Sequence, residues 1–170
     1  TQGVSSAASD VYKRQGMSRA YKYISLAQEE ATKSKLNYRV GAVITKGSKV
    51  LYSGHNNDRT KNQNKLAFCE HAELNAARQL NNRLLRKRDK NKNKRDLKKC
   101  IIWVTRVRCN GELSDSAPCS NCIKNLLDMG FNRVGYTDNN GCIYIRKLDT
   151  LPHFLSDAQI NFKENFAKYS

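Results

Sequence analysis

The chain has 170 residues, enough for one domain with its own core, and its 39% hydrophobic and 27% charged residues are typical of a globular protein. Lys and Arg outnumber Asp and Glu by 31 to 15, and the net charge of +16 favours nucleic acid as a partner, although Lys- and Asn-rich stretches also fit codon bias. No run of about 18 apolar residues occurs, so we expect no membrane-spanning segment and no membrane as a partner.

The first 16 residues differ from the rest of the chain. The stretch VSSAASDVYKRQ has no apolar period and resembles a translated sequencing adaptor, and a flexible tail is the alternative. We therefore treat 1–16 as a non-native or disordered leader and expect a single domain over 17–170. These residues also lack the pattern of a secretion signal, so we expect a cytoplasmic (intracellular) protein whose six cysteines form no disulfide framework.

The apolar spacing after the leader predicts a first helix over about 18–34, with Ser18 as its cap. Two β-rich runs around a Lys-Gly-Ser turn in YRVGAVITKGSKVLYSG then predict a hairpin. The polar stretch HNNDRTKNQNK predicts a loop, and a second helix is expected from about Glu70 to about Leu85.

A strongly basic segment follows at 78–99, with eleven Lys or Arg against two Asp. Like-charge runs of this kind are usually solvated and mobile. Within this segment we predict that Arg86, Lys87, Arg88 and Lys90 contact nucleic acid.

The second half of the chain alternates strands and helices. CIIWVTRV predicts a central strand, RCNGELSDSA a loop, and CSNCIKNLLDMG a short helix that Gly130 ends. NRVGYTD and CIYIRKL predict two strands joined by the turn DNNG, and SDAQINFKENFAKY predicts a last helix capped by Ser156. This order predicts an α/β fold with a mixed sheet of about five strands and helices on both faces.

One histidine and two cysteines stand where they could bind a metal. His71 lies at the start of the second helix, and Cys119 and Cys122 lie three residues apart at the start of the short helix, so their thiols share a face. Helix N-termini favour thiolates. Three such ligands are typical of a catalytic zinc site that leaves one position for water, and Glu73 is placed to take a proton from that water.

The residues HAE at 71–73 and PCSNC at 118–122 resemble the H-x-E and P-C-x-x-C signature of zinc-dependent nucleobase deaminases. The resemblance covers nearly all of 17–148. It implies a three-layer cytidine-deaminase-like fold, Zn²⁺ as the cofactor, and hydrolysis of a ring C–N bond that converts cytosine to uracil or adenine to hypoxanthine. It also implies that Glu73 carries out every proton transfer.

The same resemblance suggests substrate contacts. Asn56 stands at the strand end where relatives place an asparagine that contacts the sugar, and the Ala72 amide resembles the group that holds the pyrimidine carbonyl. Tyr136 matches a region where polynucleotide-acting relatives often carry an aromatic residue, with simple packing as the alternative. His55 is a candidate for stacking on a base or contacting phosphate, with a plain surface histidine as the alternative. Cys69 is expected to be a small buried residue and not a fourth ligand.

Other features divide between branches of the family. The stretch SDSA before Pro118 lacks the Ser-Trp-Ser of immune polynucleotide cytosine deaminases and the acidic approach of transfer-RNA adenosine deaminases. The DNNG hairpin predicts antiparallel last strands, which resembles free-cytidine deaminases and several bacterial toxin deaminases and differs from the transfer-RNA and deoxycytidylate branches, where these strands run parallel. A histidine ligand at 71 instead differs from the cysteine that free-cytidine deaminases generally use.

We therefore expect first a deaminase of cytosine in single-stranded DNA or, less favoured, RNA. The alternatives are a deaminase of free cytidine, deoxycytidine or their monophosphates, an adenosine deaminase acting on transfer RNA, and a nucleic-acid-binding module with a relic zinc site. The intact Glu73 argues against the relic. The sequence leaves a homo-oligomer open.

Overall fold

The structure is a computed structural model that describes residues 5–58, 61–62, 65–66, 70–85 and 90–154, and the side chains of 17–58, 70–84 and 93–154. The helices within these ranges are α1 (Ser5–Ala31), α2 (Ala72–Leu85), α3 (Lys90–Lys98) and α4 (Ser120–Met129). The strands are β1 (Arg39–Lys46), β2 (Lys49–His55), β3 (Lys61–Asn62), β4 (Lys65–Leu66), β5 (Cys100–Val107), β6 (Leu113–Ser114), β7 (Arg133–Thr137) and β8 (Ile143–Lys147). A 3₁₀ turn at Leu148–Thr150 follows β8. None of the helices in the described ranges is both long and apolar enough to cross a membrane.

The main sheet has the strand order β2-β1-β5-β7-β8, with the short β6 paired to β5. Only β5 and β7 run parallel, and every other neighbouring pair is antiparallel. The mixed five-stranded sheet and the central place of β5 are therefore confirmed, and so is the antiparallel β7–β8 hairpin. The short helix α4 lies in the crossover connection that joins these two parallel strands.

Two glycines show which helices cover each face of the sheet. A Cβ atom at Gly41 would overlap the Ala27 carbonyl oxygen of α1. A Cβ atom at Gly54 would lie 2.6 Å from the Ala76 amide nitrogen of α2. Because Gly41 pairs with His55 and neighbouring strand residues alternate in direction, His55 points to the α1 face and Gly54 to the α2 face.

The core is accordingly divided by the sheet, which confirms the three-layer architecture. On one face, Ala20, Tyr23, Ile24 and Ala27 of α1 pack against Val43 and Trp103. On the other face, a larger cluster joins apolar residues of α2 and α4 to the sheet; it includes Leu74, Ala76, Leu80, Ile123, Leu126, Ile44, Ile102, Val104 and Val134. We call this second side of the sheet the α2/α4 face.

The helix boundaries differ from the prediction in the leader and in the later part of the basic segment, whereas α2 ends at Leu85 as predicted. Helix α1 begins at Ser5 and not near residue 18. Residues 5–16 are therefore helical, whereas the sequence predicted a foreign leader or a flexible tail there. Neither glycine nor proline occurs in 5–15 to stop the helix from extending backward. That these residues are foreign to the protein stays a prediction.

Helix α3 corrects the expectation that 78–99 is a solvated, mobile run. Its Leu97 is buried at 3% exposure, and its Asp96 carboxylate lies 2.8 Å from the Lys46 ammonium of β1. One buried leucine and one ion pair hold this short helix against the sheet. The net charge of the segment does not indicate either contact. The loop predicted over 55–65 likewise contains strand β3, which pairs with β4. The predicted C-terminal helix and its cap Ser156 lie outside the described residues.

Candidate active site

Two helix N-termini meet at one end of the sheet. His71 immediately precedes α2, and its carbonyl oxygen accepts the amide hydrogen of Asn75 at 2.9 Å, so it occupies the N-cap position. Cys119 occupies the N-cap position of α4. Both helices begin where β2, β5 and β7 end, because each returns antiparallel to the strand before it. Their positive dipole ends therefore face the same space.

The predicted metal ligands lie together there. One ligand atom from each of His71, Cys119 and Cys122 can be chosen so that all three lie within 4.8 Å of one another. The His71 Nδ1 atom is 3.2 Å from the Cys122 sulfur and 3.6 Å from the Cys119 sulfur. Both thiols are buried, and the imidazole is half-buried. One imidazole and two thiols in this arrangement fit zinc, which takes nitrogen and sulfur ligands and in catalytic sites keeps a fourth position for water.

The two thiols are electrostatically unlike each other. The Cys122 thiol donates a hydrogen bond to the Cys119 sulfur, and together with His71 this lowers the pKa of Cys119 to about 4 although burial opposes it. The same hydrogen bond, followed by burial, raises the pKa of Cys122 well above its ordinary value. One thiolate is therefore already favoured, and binding a divalent cation would release the proton of the other.

Glu73 lies in the first turn of α2, two residues after the ligand His71, and only 4% of it is exposed. Burial raises the pKa of its carboxyl group, while the charge of His71 acts in the opposite direction. A carboxylate whose pKa is shifted toward neutrality is suited to accept a proton and give it back. The geometry therefore brings the predicted acid–base residue to the predicted metal ligands.

Ala72, between ligand and acid–base residue, is fully buried and is the first residue of α2. Its amide hydrogen belongs to the helix N-terminus, where donors have no partner within the helix. That this amide binds the pyrimidine carbonyl stays a prediction.

Asn56 ties the end of β2 to the start of β1. Its Oδ1 atom accepts the Val40 amide hydrogen at 2.8 Å, and its Nδ2 atom donates to the Tyr38 carbonyl oxygen at 2.5 Å. Its own amide donates to the Val40 carbonyl oxygen at 3.0 Å. A sugar contact would use the second hydrogen of Nδ2 or the second lone pair of Oδ1.

His55 is placed away from the site. Its Nδ1 atom lies 3.0 Å from the Glu30 carboxylate of α1, and Ser53 donates to the same carboxylate at 3.0 Å. The imidazole therefore faces α1 and not the ends of α2 and α4. This placement does not support the predicted contact with a base or phosphate.

Tyr136 stands near the end of β7 on the α2/α4 face, half-buried against the larger core cluster. Its ring stacks on Tyr144 of β8, with centroids 5.7 Å apart and 27° between the planes. Tyr136 therefore packs against the core and also lies near the strand ends that border the site.

Four of the predicted nucleic-acid contacts and one cysteine fall where side chains are not described. Arg86, Lys87, Arg88 and Cys69 lie outside the described residues, and Lys90 is described only as the first residue of α3.

Sequence reasoning missed a buried ion pair beside the site. The Glu70 side chain is 0% exposed, and the Arg78 guanidinium meets it with Nε–Oε1 and Nη2–Oε2 distances of 2.7 and 3.2 Å. Asn57 donates its side-chain amide to the same carboxylate at 3.1 Å, and both backbone groups of Asn57 bond to those of Glu70. The available signal was a carboxylate just before α2 and an arginine eight residues after it, a spacing that does not by itself indicate a pair.

Sequence reasoning also missed an exposed aromatic residue at the same end of the sheet. Tyr38 is 64% exposed, and the Arg106 guanidinium lies 4.5 Å from its ring centroid. Its carbonyl oxygen is the one that Asn56 binds, so its position is coupled to the rim of the site.

Comparison with known proteins agrees with this geometry. Residues 17–137 match the model of the cytidine and deoxycytidylate deaminase zinc-binding region. The chain belongs to this family. It is therefore a hydrolytic deaminase of the cytidine deaminase type, and zinc is its cofactor.

Solved structures of similar fold include a cytidine deaminase from Burkholderia pseudomallei, 22% identical, with a TM-score of 0.54 over 79% of this chain and 98% of that one. A dCMP deaminase from the cyanophage S-TIM5 is 19% identical, with a TM-score of 0.45 over 71% of this chain and 82% of that one. The first likeness supports the deaminase fold and nothing finer. None of the curated protein sequences matches this chain significantly.

Proposed function

We propose that this deaminase converts cytosine to uracil in single-stranded nucleic acid, and in DNA more readily than in RNA. The observation that carries the proposal is the rim of the site. At the end of the sheet that carries His71 and Cys119, Tyr38 is 64% exposed with Arg106 against its ring, and the half-buried Tyr136 stacks on the half-buried Tyr144, in a chain whose net charge is +16. Single-strand binders combine aromatic residues that stack on bases with basic residues that follow the backbone.

The chemistry follows from the four central residues. Zinc, when bound by His71, Cys119 and Cys122, supplies the Lewis acid that lowers the pKa of water. Glu73 accepts a proton from the attacking water and gives it to the ring nitrogen beside the amino-bearing carbon. It then carries a second proton to the leaving amine, which departs as ammonia. The Ala72 amide would hold the pyrimidine carbonyl throughout.

The rim has an aromatic group on either side of this centre. Tyr38 with Arg106 lies at the β1–β5 side, where Asn56 also holds the backbone. Tyr136 with Tyr144 lies at the β7–β8 side. A single strand presents unpaired bases to such groups, whereas a duplex must first flip the target base at a cost of a few kcal/mol. The rim therefore favours single strands over duplex.

The basic segment is the proposed contact with the nucleic-acid backbone. Replacing Arg86, Lys87, Arg88 and Lys90 with Ser should weaken oligonucleotide binding at low salt and leave zinc content unchanged. Each phosphate that the variant no longer neutralises should reduce the slope of log K against log salt by about 0.7 on a single strand. An unchanged slope would return the segment to a solvated surface.

A second candidate function is deamination of a free nucleoside or nucleotide. The specific observation in its favour is the antiparallel β7–β8 hairpin, the arrangement that we associate with free-cytidine deaminases. The solved structure from B. pseudomallei is a cytidine deaminase, which is compatible with this candidate.

A substrate panel tests the proposal. Zinc-loaded protein is incubated with cytidine, deoxycytidine, their monophosphates, transfer RNA, and cytosine-containing oligonucleotides as single-stranded DNA, single-stranded RNA and duplex. Replacement of NH by O is read by mass spectrometry. We expect conversion of the single-stranded DNA to exceed that of the duplex and of deoxycytidine.

The Glu73→Gln protein is the matched control for every substrate. It should retain zinc and fold but lose about 10² to 10⁴ in rate, because the amide cannot accept a proton. Efficient conversion of deoxycytidine or its monophosphate beside an intact oligonucleotide would establish the second candidate. Conversion of adenosine in transfer RNA alone would establish the remaining alternative.

A further inference from the structure

We propose that Tyr144 and Arg146 of β8 form a subsite for the nucleotide next to the target cytosine, in which the neighbouring base stacks on Tyr144 and its phosphate binds Arg146. This inference rests on the proposed function. It assigns a ligand to two side chains of the sheet edge that the deamination chemistry does not use.

The two side chains lie on the same face as the site. Tyr136 pairs with Tyr144 across the β7–β8 ladder, and Val134 pairs with Arg146. Val134 is buried in the core of the α2/α4 face. Because paired residues of antiparallel strands point to the same side, Tyr144 and Arg146 also lie on the α2/α4 face.

The subsite is connected to the metal ligands through one loop. Thr137, next to Tyr136, accepts the Ser116 amide hydrogen on its carbonyl oxygen at 2.9 Å and donates its own amide hydrogen to the Ser116 hydroxyl at 2.9 Å. Ser116 is buried and stands three residues before Cys119. The end of β7 and the loop that leads to Cys119 are thus held together, which places the Tyr136–Tyr144 pair beside the metal site.

Tyr144 is half-buried, and its ring is held in position by two sets of contacts. One set of contacts comes from the Tyr136 ring, and its hydroxyl donates to the Asp138 carboxylate at 3.2 Å. That carboxylate also accepts the amide hydrogens of Asn140 and Cys142 at 2.8 and 2.9 Å, so the turn fixes its position. A ring fixed in this way loses little conformational entropy when a base stacks on it.

Arg146 supplies the cation. It is exposed, and within the described part of the chain no carboxylate lies at ion-pair distance from its guanidinium. Its Cζ atom lies 5.7 Å from the Tyr144 ring centroid, near the outer limit of a cation–π contact. An exposed guanidinium at that distance can turn from the ring toward the phosphate of a nucleotide whose base stacks on Tyr144.

The alternative role for these residues is a cross-strand contact that only stabilises the sheet edge. Affinity for oligonucleotides distinguishes the two. The Glu73→Gln protein, which binds without turnover, carries Tyr144→Leu or Arg146→Gln as a second change. We expect Tyr144→Leu to weaken binding about five- to 150-fold, as for the loss of one stacked base. Arg146→Gln should reduce the salt slope by about 0.7.

Matched controls use the other surface of the molecule. Tyr21 is an exposed tyrosine of α1, and Lys147 is an exposed cation whose side chain alternates to the opposite face of β8. Tyr21→Leu and Lys147→Gln should leave affinity unchanged. Tyr144→Phe keeps the ring and should retain most of the affinity, which separates stacking from the Asp138 hydrogen bond.

Abasic oligonucleotides decide whether the ring contacts a neighbouring base. With the base missing on one side of the cytosine, 5′ or 3′, the penalty of Tyr144→Leu should disappear, and with the base missing on the other side it should persist. A penalty that persists on both abasic strands overturns the subsite. So does an equal loss in the rate on free deoxycytidine when Tyr144→Leu is made in the protein that retains Glu73. If no oligonucleotide binds or is deaminated, the proposed function fails and the subsite fails with it. If oligonucleotides are bound equally by all variants, the subsite alone fails.

Discussion

Removing the guanidinium of Arg78 should destabilise the protein more than any other single change on the exposed side of α2. In Arg78→Met the side chain keeps most of its apolar stem but no longer reaches the Glu70 carboxylate with a cation. That carboxylate has 0% side-chain exposure, so no water can replace the guanidinium without rearrangement. The change therefore removes the Arg78 cation from a buried carboxylate.

The magnitude follows from this burial. Breaking a buried ion pair by removing one partner costs about 3–5 kcal/mol. Two features favour the lower end of that range. The Arg78 side chain is 28% exposed, and Asn57 continues to donate to the carboxylate at 3.1 Å. We therefore expect a loss of about 3 kcal/mol in the free energy of unfolding.

The assay is denaturant unfolding of zinc-saturated protein, in a double-mutant cycle with Glu70→Gln. A neutral amide at 70 does not need the cation, so Arg78→Met should cost only about 1 kcal/mol in that background. Arg83→Met, an exposed arginine in the last turn of the same helix, is the matched control and should change stability by less than about 0.5 kcal/mol. A cost for Arg78→Met below about 1 kcal/mol, or an equal cost in both backgrounds, would refute the buried ion pair.

Three further predictions concern the metal, a carboxylate and a glycine. Chelation of zinc should lower the melting temperature and abolish activity, because the ligands join α2 to α4, and calorimetry with and without added zinc checks this. Burial opposes ionisation of Glu30, but hydrogen bonds from Lys33, His55 and Ser53 together outweigh it and lower the pKa of its carboxyl group. The contribution of Glu30 to the free energy of unfolding is therefore complete above the ordinary pKa of 4.5 and is lost as the pH falls through the lower pKa of the folded state. Glu30→Gln should therefore cost about 1–2 kcal/mol in the free energy of unfolding at pH 7, and progressively less as the pH falls below 4.5. A cost that does not change with pH would contradict the lowered pKa of Glu30. Gly54→Ala should cost about 1–3 kcal/mol and reduce zinc affinity, because its Cβ would lie 2.6 Å from a backbone nitrogen of α2, and unchanged zinc affinity would show that α2 need not move.

Local sequence patterns predicted the central part of the site because its functional residues lie two or three positions apart in the chain. His71 and Glu73 follow each other within one helical turn, as do Cys119 and Cys122, and a helix start after each strand brings the two pairs to the same end of the sheet. The β1–β2 hairpin and α4 were likewise predictable from turn residues and from the glycine at 130, whose φ of 108° ends the helix.

Features that depend on distant partners were not predictable in the same way. The orientation of His55 is set by which face Gly41 presents to α1, a matter of sheet register that a single strand does not reveal. Helix α3 was hidden because its charge dominates its sequence, while one buried leucine at 97 seats it. The contact between Tyr136 and Tyr144 likewise required the register of the β7–β8 hairpin.

The arrangement of α2 and α4 explains why the metal and the fold depend on each other. Both helices direct their positive ends at the same space, where the hydrogen bond from Cys122, with the help of His71, lowers the pKa of Cys119 to about 4 although burial opposes it. The second thiol, Cys122, has a raised pKa and so keeps its proton until a metal replaces it. Because His71 belongs to one helix start and Cys119 and Cys122 belong to the other, a displacement of either helix separates the ligands without changing any of them. Substitutions at the packing surface of α2, such as that at Gly54, should therefore reduce zinc affinity from a position that touches no ligand.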